Sequence, residues 1–102
     1  MTDIEFDVPQ SANLRGAAAL IEKACQECGL RISTRFNPQK ESGCIHWHVK
    51  RGILSGTLEL TLCDTKRRIW ASVKDNRRAP WMDEDLPRLK EAVEMALRMA
   101  IS

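Results

Sequence analysis

Apolar and polar positions alternate in five short stretches of this chain, and apolar positions recur every three or four residues in two longer stretches. Alternation is typical of strands that bury one face, and the longer spacing is typical of helices that bury one stripe. The alternating stretches are residues 3–8, 30–36, 44–50, 57–63 and 68–74. The helical stretches begin at a capping residue, Ser11 or Asn13 for the first and Asp83 or Asp85 for the second.

This pattern predicts one α+β domain over residues 1–102, with its elements in the order β-α-β-β-β-β-α. A chain of 102 residues is near the commonest domain size. Its 43% hydrophobic residues suffice for one small core, and both helices are needed to cover a whole sheet face. We therefore expect a two-layer sandwich, in which a mostly antiparallel sheet of four or five strands carries both helices on one face.

Strand parity predicts how the last four strands pair, because inward residues must oppose inward residues. The predicted outward pairs are Cys44 with Cys63, His46 with Thr61, His48 with Glu59, Thr61 with Trp70, Glu59 with Ser72, Arg35 with His46 and Ser33 with His48. The outer face of the sheet then carries two rows, Arg35–His46–Thr61–Trp70 and Ser33–His48–Glu59–Ser72.

The first strand is acidic on its outward side, with Asp3, Glu5 and Asp7, and it fits either edge of the sheet. A right-handed crossover through the first helix would place it parallel to residues 30–36. The other edge, beside residues 68–74, is also basic and would attract the same acids. The sequence leaves this choice open.

The outer face is the predicted working surface. Tryptophan and arginine are enriched at the centres of protein interfaces, and a tryptophan on a solvated sheet face is unusual. We expect a small interaction module that self-associates as a homo-oligomer through this face. We expect neither a cofactor nor a stand-alone enzyme. The alternative is that the face is simply exposed to solvent and binds nothing. The candidate partner-binding residues are Arg31, Arg35, His46, His48, Lys50, Trp70, Lys74, Arg77 and Arg78.

Single-stranded nucleic acid is the alternative partner, bound by the same face and by the loop of residues 75–82. Sheets hold single-stranded RNA by stacking bases on aromatic rings and contacting phosphates with basic groups. Trp70 would be the stacking platform. Against this interpretation, the formal net charge is only +2, Trp70 is the one predicted aromatic besides the histidines, and Glu59 lies in the middle of the face.

A metal site or metalloenzyme is the third interpretation, centred on His46, His48 and Glu59. Two histidines at alternate positions of one strand, with a carboxylate on the next, approximate the two-histidine, one-carboxylate set of mononuclear metal sites. Cys44 could complete a zinc site. Since alternation places any His-x-His pair on one face, the pattern has low specificity.

The four cysteines are expected to be reduced thiols in a cytoplasmic protein. The start of the chain lacks the apolar run of a signal peptide, and no stretch could span a membrane, so no membrane partner is expected. Cys25 and Cys28 fall at the C-terminal end of the first helix, on its apolar stripe. They are therefore predicted to be core residues and not a redox pair.

The start of the last helix bears on two further interpretations. The order helix, strands, helix resembles the double-stranded-RNA-binding domain, but that family opens its last helix with lysines, and this chain has Asp83, Glu84 and Asp85. Trp81 is predicted to be a hydrophobic staple that anchors this helix, and a recognition loop is the alternative.

Overall fold

Five strands form one sheet, and two helices pack on one of its faces. The structure is a computed structural model that describes residues 2–37 and 43–100. The strands are β1 (Thr2–Phe6), β2 (Arg31–Phe36), β3 (Cys44–Lys50), β4 (Leu58–Cys63) and β5 (Arg68–Val73), and the helices are α1 (Ala17–Glu27) and α2 (Trp81–Met99). The predicted α+β class and element order are confirmed. The polar loop predicted after Asn37 lies largely outside the described residues. No helix among the described residues is long and apolar enough to cross a bilayer.

The core lies between the sheet and the two helices. Inward side chains of the central strands, such as Trp47 and Leu60, are fully buried against Ile21 of α1 and Leu89 of α2. Each such side chain stabilises the fold by about 1.5–3 kcal/mol relative to exposure. The indole N–H of Trp47 donates to Glu22 Oε2 on α1 at 3.0 Å, so the one polar group of this ring is satisfied.

The sheet order is β1-β5-β4-β3-β2, and every neighbouring pair is antiparallel. The predicted placement of β1 beside β2 is therefore wrong, and the other edge, left open by the sequence, is the one occupied. Four antiparallel steps separate β1 from β2, so the two strands run in the same direction but lie at opposite edges, and α1 carries the chain across the whole sheet between them. At this edge Glu5 pairs with Arg68, and Asp3 Oδ1 accepts a hydrogen bond from the Ser72 hydroxyl at 2.8 Å.

Arg67 ties the β4–β5 hairpin to the segment that leads into α1. Its guanidinium donates to the carbonyl oxygens of Ala12 (2.8 Å), Pro9 (3.0 Å) and Gln10 (3.1 Å). Its backbone has a φ of 52°, in the left-handed region that favours glycine. The next residue along the segment, Asn13, accepts from the Arg15 N–H at 3.0 Å, so it caps the short 3-10 turn that precedes α1.

Helix α2 begins at Trp81, earlier than the predicted caps Asp83 and Asp85. The Trp81 ring is buried and its indole N–H donates to the Ser55 carbonyl at 2.9 Å. It anchors the helix from inside the first turn, whereas a hydrophobic staple lies before the cap. Asp85 is buried inside the helix and accepts from Arg51 at 3.1 Å instead of capping. Pro87 therefore lies within the helix and not in its first turn, where the sequence placed it.

Candidate binding face

The open face is the side of the sheet that the helices leave uncovered. Its register across β3, β4 and β5 is the predicted one: Cys44 opposes Cys63, His46 opposes Thr61, His48 opposes Glu59, Thr61 opposes Trp70 and Glu59 opposes Ser72. Two hairpins with buried inner faces leave little freedom for slippage, so parity alone predicts these pairs.

A β-bulge in β2 overturns the predicted pairing of that strand. The register shifts between Ile32 and Thr34, so that Thr34 opposes His48 and Phe36 opposes His46. The predicted pairs of Arg35 with His46 and Ser33 with His48 are therefore wrong. Arg35 instead opposes the inward Trp47, with its guanidinium 5.9 Å from the Trp47 ring centroid. An extra residue in one strand reverses which side each later residue faces.

An aromatic row crosses the open face from β2 to β1 and comprises Phe36, His46, Thr61, Trp70 and Glu5. Phe36 is 42% exposed, and its ring stacks on His46 with centroids 5.3 Å apart. His46 Nδ1 and the Thr61 hydroxyl are hydrogen-bonded at 2.9 Å. Thr61 is only 3% exposed, so its hydroxyl lies beneath its larger neighbours. The row is a shallow apolar surface held in place by polar contacts within the chain.

Trp70 is covered on one side by a cation. The Arg68 guanidinium lies 4.5 Å from the Trp70 ring centroid, and its Nε donates to Glu5 Oε1 at 2.8 Å. The charge pair fixes the guanidinium over the ring, and the cation–π contact adds about 0.5–1 kcal/mol at an exposed site. Trp70 is therefore pre-ordered and remains partly exposed.

One end of the open face is basic, and we name this basic end by its four cations, Arg31, Lys50, Lys74 and Arg77. Arg31 opposes Lys50 in the register. Glu59 lies among them, with its Oε1 3.6 Å from Lys74 Nζ, 3.6 Å from Arg77 Nη1 and 3.4 Å from His48 Nε2. The carboxylate that the sequence places in the middle of the face is therefore balanced by neighbouring cations.

Seven of the nine predicted partner-binding residues share the open face or its basic end: Arg31, His46, His48, Lys50, Trp70, Lys74 and Arg77. The other two do not join them. Arg35 lies on the helix side, where Nη1 contacts Glu22 Oε2 at 2.8 Å, and Arg78 pairs with Asp83 at the start of α2 at 3.1 Å. Phe36 is the face residue that the sequence missed, because alternation continues unbroken through the bulge.

Cys44, the possible additional ligand of the metal site predicted at His46, His48 and Glu59, is not free to bind a metal ion. Cys44 and Cys63 form a disulfide between opposite residues whose Cα atoms are 4.1 Å apart, so Cys44 offers no thiolate. Across residues 2–37 and 43–100, no group of three or more His, Cys, Asp or Glu side chains is placed to hold a metal ion. The expectation of four reduced thiols is wrong for this pair, although the predicted register already placed the two cysteines opposite each other.

Cys25 and Cys28 are buried free thiols, as predicted. Burial, together with the neighbouring Cys28 and Glu22, raises the pKa of Cys25 to about 12. Burial also raises the pKa of Cys28. A thiol with a raised pKa is a poor nucleophile and metal ligand, so both residues serve the core.

The fold and the face together define a two-layer α+β sandwich with one open, aromatic and partly basic sheet surface. No known family model matches the chain, and neither a curated protein nor a solved structure shows significant similarity to it. The function must therefore be argued from the face itself.

Proposed function

We propose that the protein is a small interaction module that self-associates through the open face. The aromatic row carries this proposal, because it presents Phe36, His46 and Trp70 across a surface that the chain leaves uncovered. Aromatic side chains and arginine dominate the centres of protein interfaces. Arg68 and Glu5 are already paired beside Trp70, which lowers the cost of ordering them on association.

The charges favour one arrangement of two copies. The acids Asp3 and Glu5 lie on β1 at one edge, whereas Arg31 and Lys50 lie on β2 and β3 towards the other. A twofold axis parallel to the strands sets β1 of one copy over β2 of the other, so that the acids of the two β1 strands lie at opposite edges of the contact. A perpendicular axis would set β1 over β1 and acid over acid. Two sheets that pack face to face usually have strand directions about 30° apart, so we expect the sheets of the two copies to cross at about this angle.

With the axis through Thr61, the aromatic row is complementary to itself. Trp70 of one copy then lies over His46 of the other, and Phe36 lies over the Glu5 side of the row. Thr61 lies at the axis but is buried, so the rings on either side of it form the contact. An isologous contact of this kind closes at the dimer.

Sedimentation of the wild-type protein against Trp70→Glu tests the proposal. We expect a concentration-dependent dimer for the wild type and a monomer for Trp70→Glu, because the substitution removes the indole ring and places a second carboxylate opposite Glu5 in the contact. Met95→Glu is the matched control, since Met95 is an exposed apolar residue on the helix side, and it should dimerise normally. A wild type that stays monomeric at high concentration, or a Trp70→Glu variant that dimerises like it, contradicts the proposal.

Single-stranded nucleic acid is the second candidate, favoured by the outward position of Phe36. The bulge gives the face a second ring beside Trp70, and Lys74 and Arg77 balance Glu59. The sequence counted the lack of a second aromatic ring and the uncompensated Glu59 against nucleic-acid binding, and both objections are weaker in the structure. Bases would stack along the aromatic row while phosphates follow the basic end.

Binding to a labelled single-stranded oligonucleotide of mixed sequence tests this candidate. We expect the logarithm of affinity to fall with the logarithm of salt concentration at a slope of about −0.7 per phosphate neutralised. Lys50→Glu should weaken binding, whereas Lys23→Glu, the same change on the helix side, should not. Binding that is absent, or equally sensitive to both changes, removes this candidate.

A further inference from the structure

The loop that joins β3 to β4 presents two adjacent apolar side chains to solvent. Ile53 is 102% exposed and Leu54 is 53% exposed. Among the large apolar side chains of residues 2–37 and 43–100, Ile53 is the most exposed. Single exposed apolar residues are common on protein surfaces, but two together at the tip of a loop form a distinct projecting feature.

The loop is held firmly at its base, so this exposure is a property of the folded chain. The Leu54 N–H donates to the Arg51 carbonyl at 3.0 Å and closes a turn around Gly52. The Thr57 N–H donates to the Arg77 carbonyl at 3.0 Å, and the Ser55 carbonyl accepts from the Trp81 indole. These bonds fix the stem of the loop and leave Ile53 and Leu54 projecting from it.

Gly56 brings the stem of the loop into close contact with the residues before α2. Its φ is 102°, and a Cβ atom at this position would come within 2.5 Å of the Ala79 Cβ. Only glycine permits this backbone conformation together with this close approach. The tip therefore has a fixed direction relative to the sheet.

Cations lie beside the apolar tip. Arg31 Nη2 donates to the Gly52 carbonyl at 3.1 Å, which holds its guanidinium against the loop. Lys50 is the last residue of β3, and the backbone carbonyl of Arg77 accepts a hydrogen bond from the Thr57 N–H in the stem of the loop. The tip therefore adjoins the basic end of the open face. The chain contains no acid between Cys44 and Leu58. The nearest acid of the adjoining strand, Glu59, already faces Lys74 and Arg77.

We propose that this loop docks the protein on an anionic lipid surface. Ile53 and Leu54 enter the boundary between headgroups and acyl chains, and Arg31, Lys50 and Arg77 contact the anionic headgroups. Apolar burial and attraction to a negative surface are each weak for so small a tip, and together they give reversible binding. A protein that lies on a membrane surface needs no spanning helix, so this docking is compatible with the finding that no described helix could cross a bilayer. The inference does not depend on self-association.

Co-sedimentation with vesicles tests the proposal. Wild-type protein should sediment with vesicles of phosphatidylcholine and phosphatidylserine and stay in solution with vesicles of phosphatidylcholine alone. The double change Ile53→Ser and Leu54→Ser should weaken binding about tenfold or more, since two apolar side chains no longer leave water. Met99→Ser, a change at an exposed apolar site on α2, should bind like the wild type. All three sites are exposed, so we expect the variants to fold, and thermal unfolding checks this.

Charge reversal completes the test. Lys50→Glu should weaken vesicle binding, and Lys23→Glu on the helix side should not. A wild type that ignores both kinds of vesicle overturns the proposal. Loss of binding on Lys50→Glu without any loss on the double serine change also overturns it, because the basic end would then be a general polyanion site such as nucleic acid requires. Loss of dimer instead of vesicle binding in the double serine variant would make the tip a protein contact and overturn it equally.

Discussion

Phe36 and His46 lie directly opposite each other on the open face, with their ring planes 16° apart. The same phenylalanine meets the His48 ring edge-on at 5.6 Å. One ring thus packs on two histidines of the neighbouring strand, and offset or edge-on aromatic pairs add about 0.5–1.5 kcal/mol beyond the area they bury. The bulge in β2 creates this contact, so the most exposed ring of the aromatic row depends on a single inserted residue.

The side-chain hydrogen bonds of Arg67 should contribute more to the stability of the fold than its backbone conformation in the turn costs. Arg67→Ala removes three hydrogen bonds from a charged donor and keeps an unfavourable positive φ, and we expect a loss of about 1–3 kcal/mol. Arg67→Gly removes the same bonds but relieves the backbone, so it should cost less. Urea denaturation of both variants measures the difference. An Arg67→Ala variant as stable as the wild type would contradict the tether to residues 9–12.

The disulfide between Cys44 and Cys63 should stabilise the chain. The two residues are 19 apart in sequence, and closing a loop of this size in the unfolded chain is worth about 3 kcal/mol. Comparing urea midpoints with and without a thiol reductant measures this, with the double change Cys44→Ala and Cys63→Ala as the control that no longer responds.

The oxidation state of that pair also bears on where the protein works. Protein denatured without reductant should show two thiols per chain, those of Cys25 and Cys28. Four thiols would contradict the disulfide. A disulfide that persists in the cell would contradict the cytoplasmic location predicted from the sequence, and trapping thiols at the moment of lysis measures whether it does.

Cys25 should resist alkylation in the native protein. Its pKa of about 12, raised mainly by burial, leaves almost no thiolate near neutral pH. We expect iodoacetamide to label Cys25 only as fast as the chain unfolds, and mass spectrometry after timed exposure measures that rate. Rapid labelling in the native state would show that the end of α1 opens locally.

Glu94 should make stability depend on pH. Burial acts to raise the pKa of Glu94, but a hydrogen bond from the Asp7 N–H at 2.7 Å and the contact with Lys90 outweigh it and lower the pKa below its ordinary value. Such a carboxylate stabilises the fold above its unfolded pKa, and the contribution disappears as pH falls through the folded pKa.

We therefore expect Glu94→Gln to destabilise the protein at neutral pH, by an amount that shrinks towards zero in acid. Thermal unfolding across the acid range measures the difference between the variant and the wild type. Glu91→Gln, an exposed change on the same helix, is the control and should follow the wild type. A pH-independent difference would show that the loss comes from packing and not from the charge.

The sequence predicts the hairpins of this fold better than its edges. The pairs from Cys44 opposite Cys63 to Glu59 opposite Ser72 follow from parity, because each strand buries one face and the connections are short. The β1 edge does not follow, since its acids suit two basic edges equally well. Its true partner depends on how far α1 carries the chain across the sheet.

The bulge at Ile32–Thr34 marks the other limit of the sequence. Thr34 and Phe36 continue the apolar alternation of Ile32, so nothing in the pattern signals that they turn outward. The reversal is made favourable by tertiary contacts of Arg35, which finds Glu22 on α1 and the face of Trp47. Contacts between distant elements of this kind override local periodicity.

β1 pairs with the last strand of the chain, whereas β2 to β5 each pair with a neighbour in sequence. Pairing of distant segments is slow, because the entropy of closing a long loop is lost before any contact forms. We expect the meander of β2 to β5 to form first and β1 to dock last. During synthesis, β1 leaves the ribosome long before its partner does, and in that interval it is the segment most open to pairing with another chain.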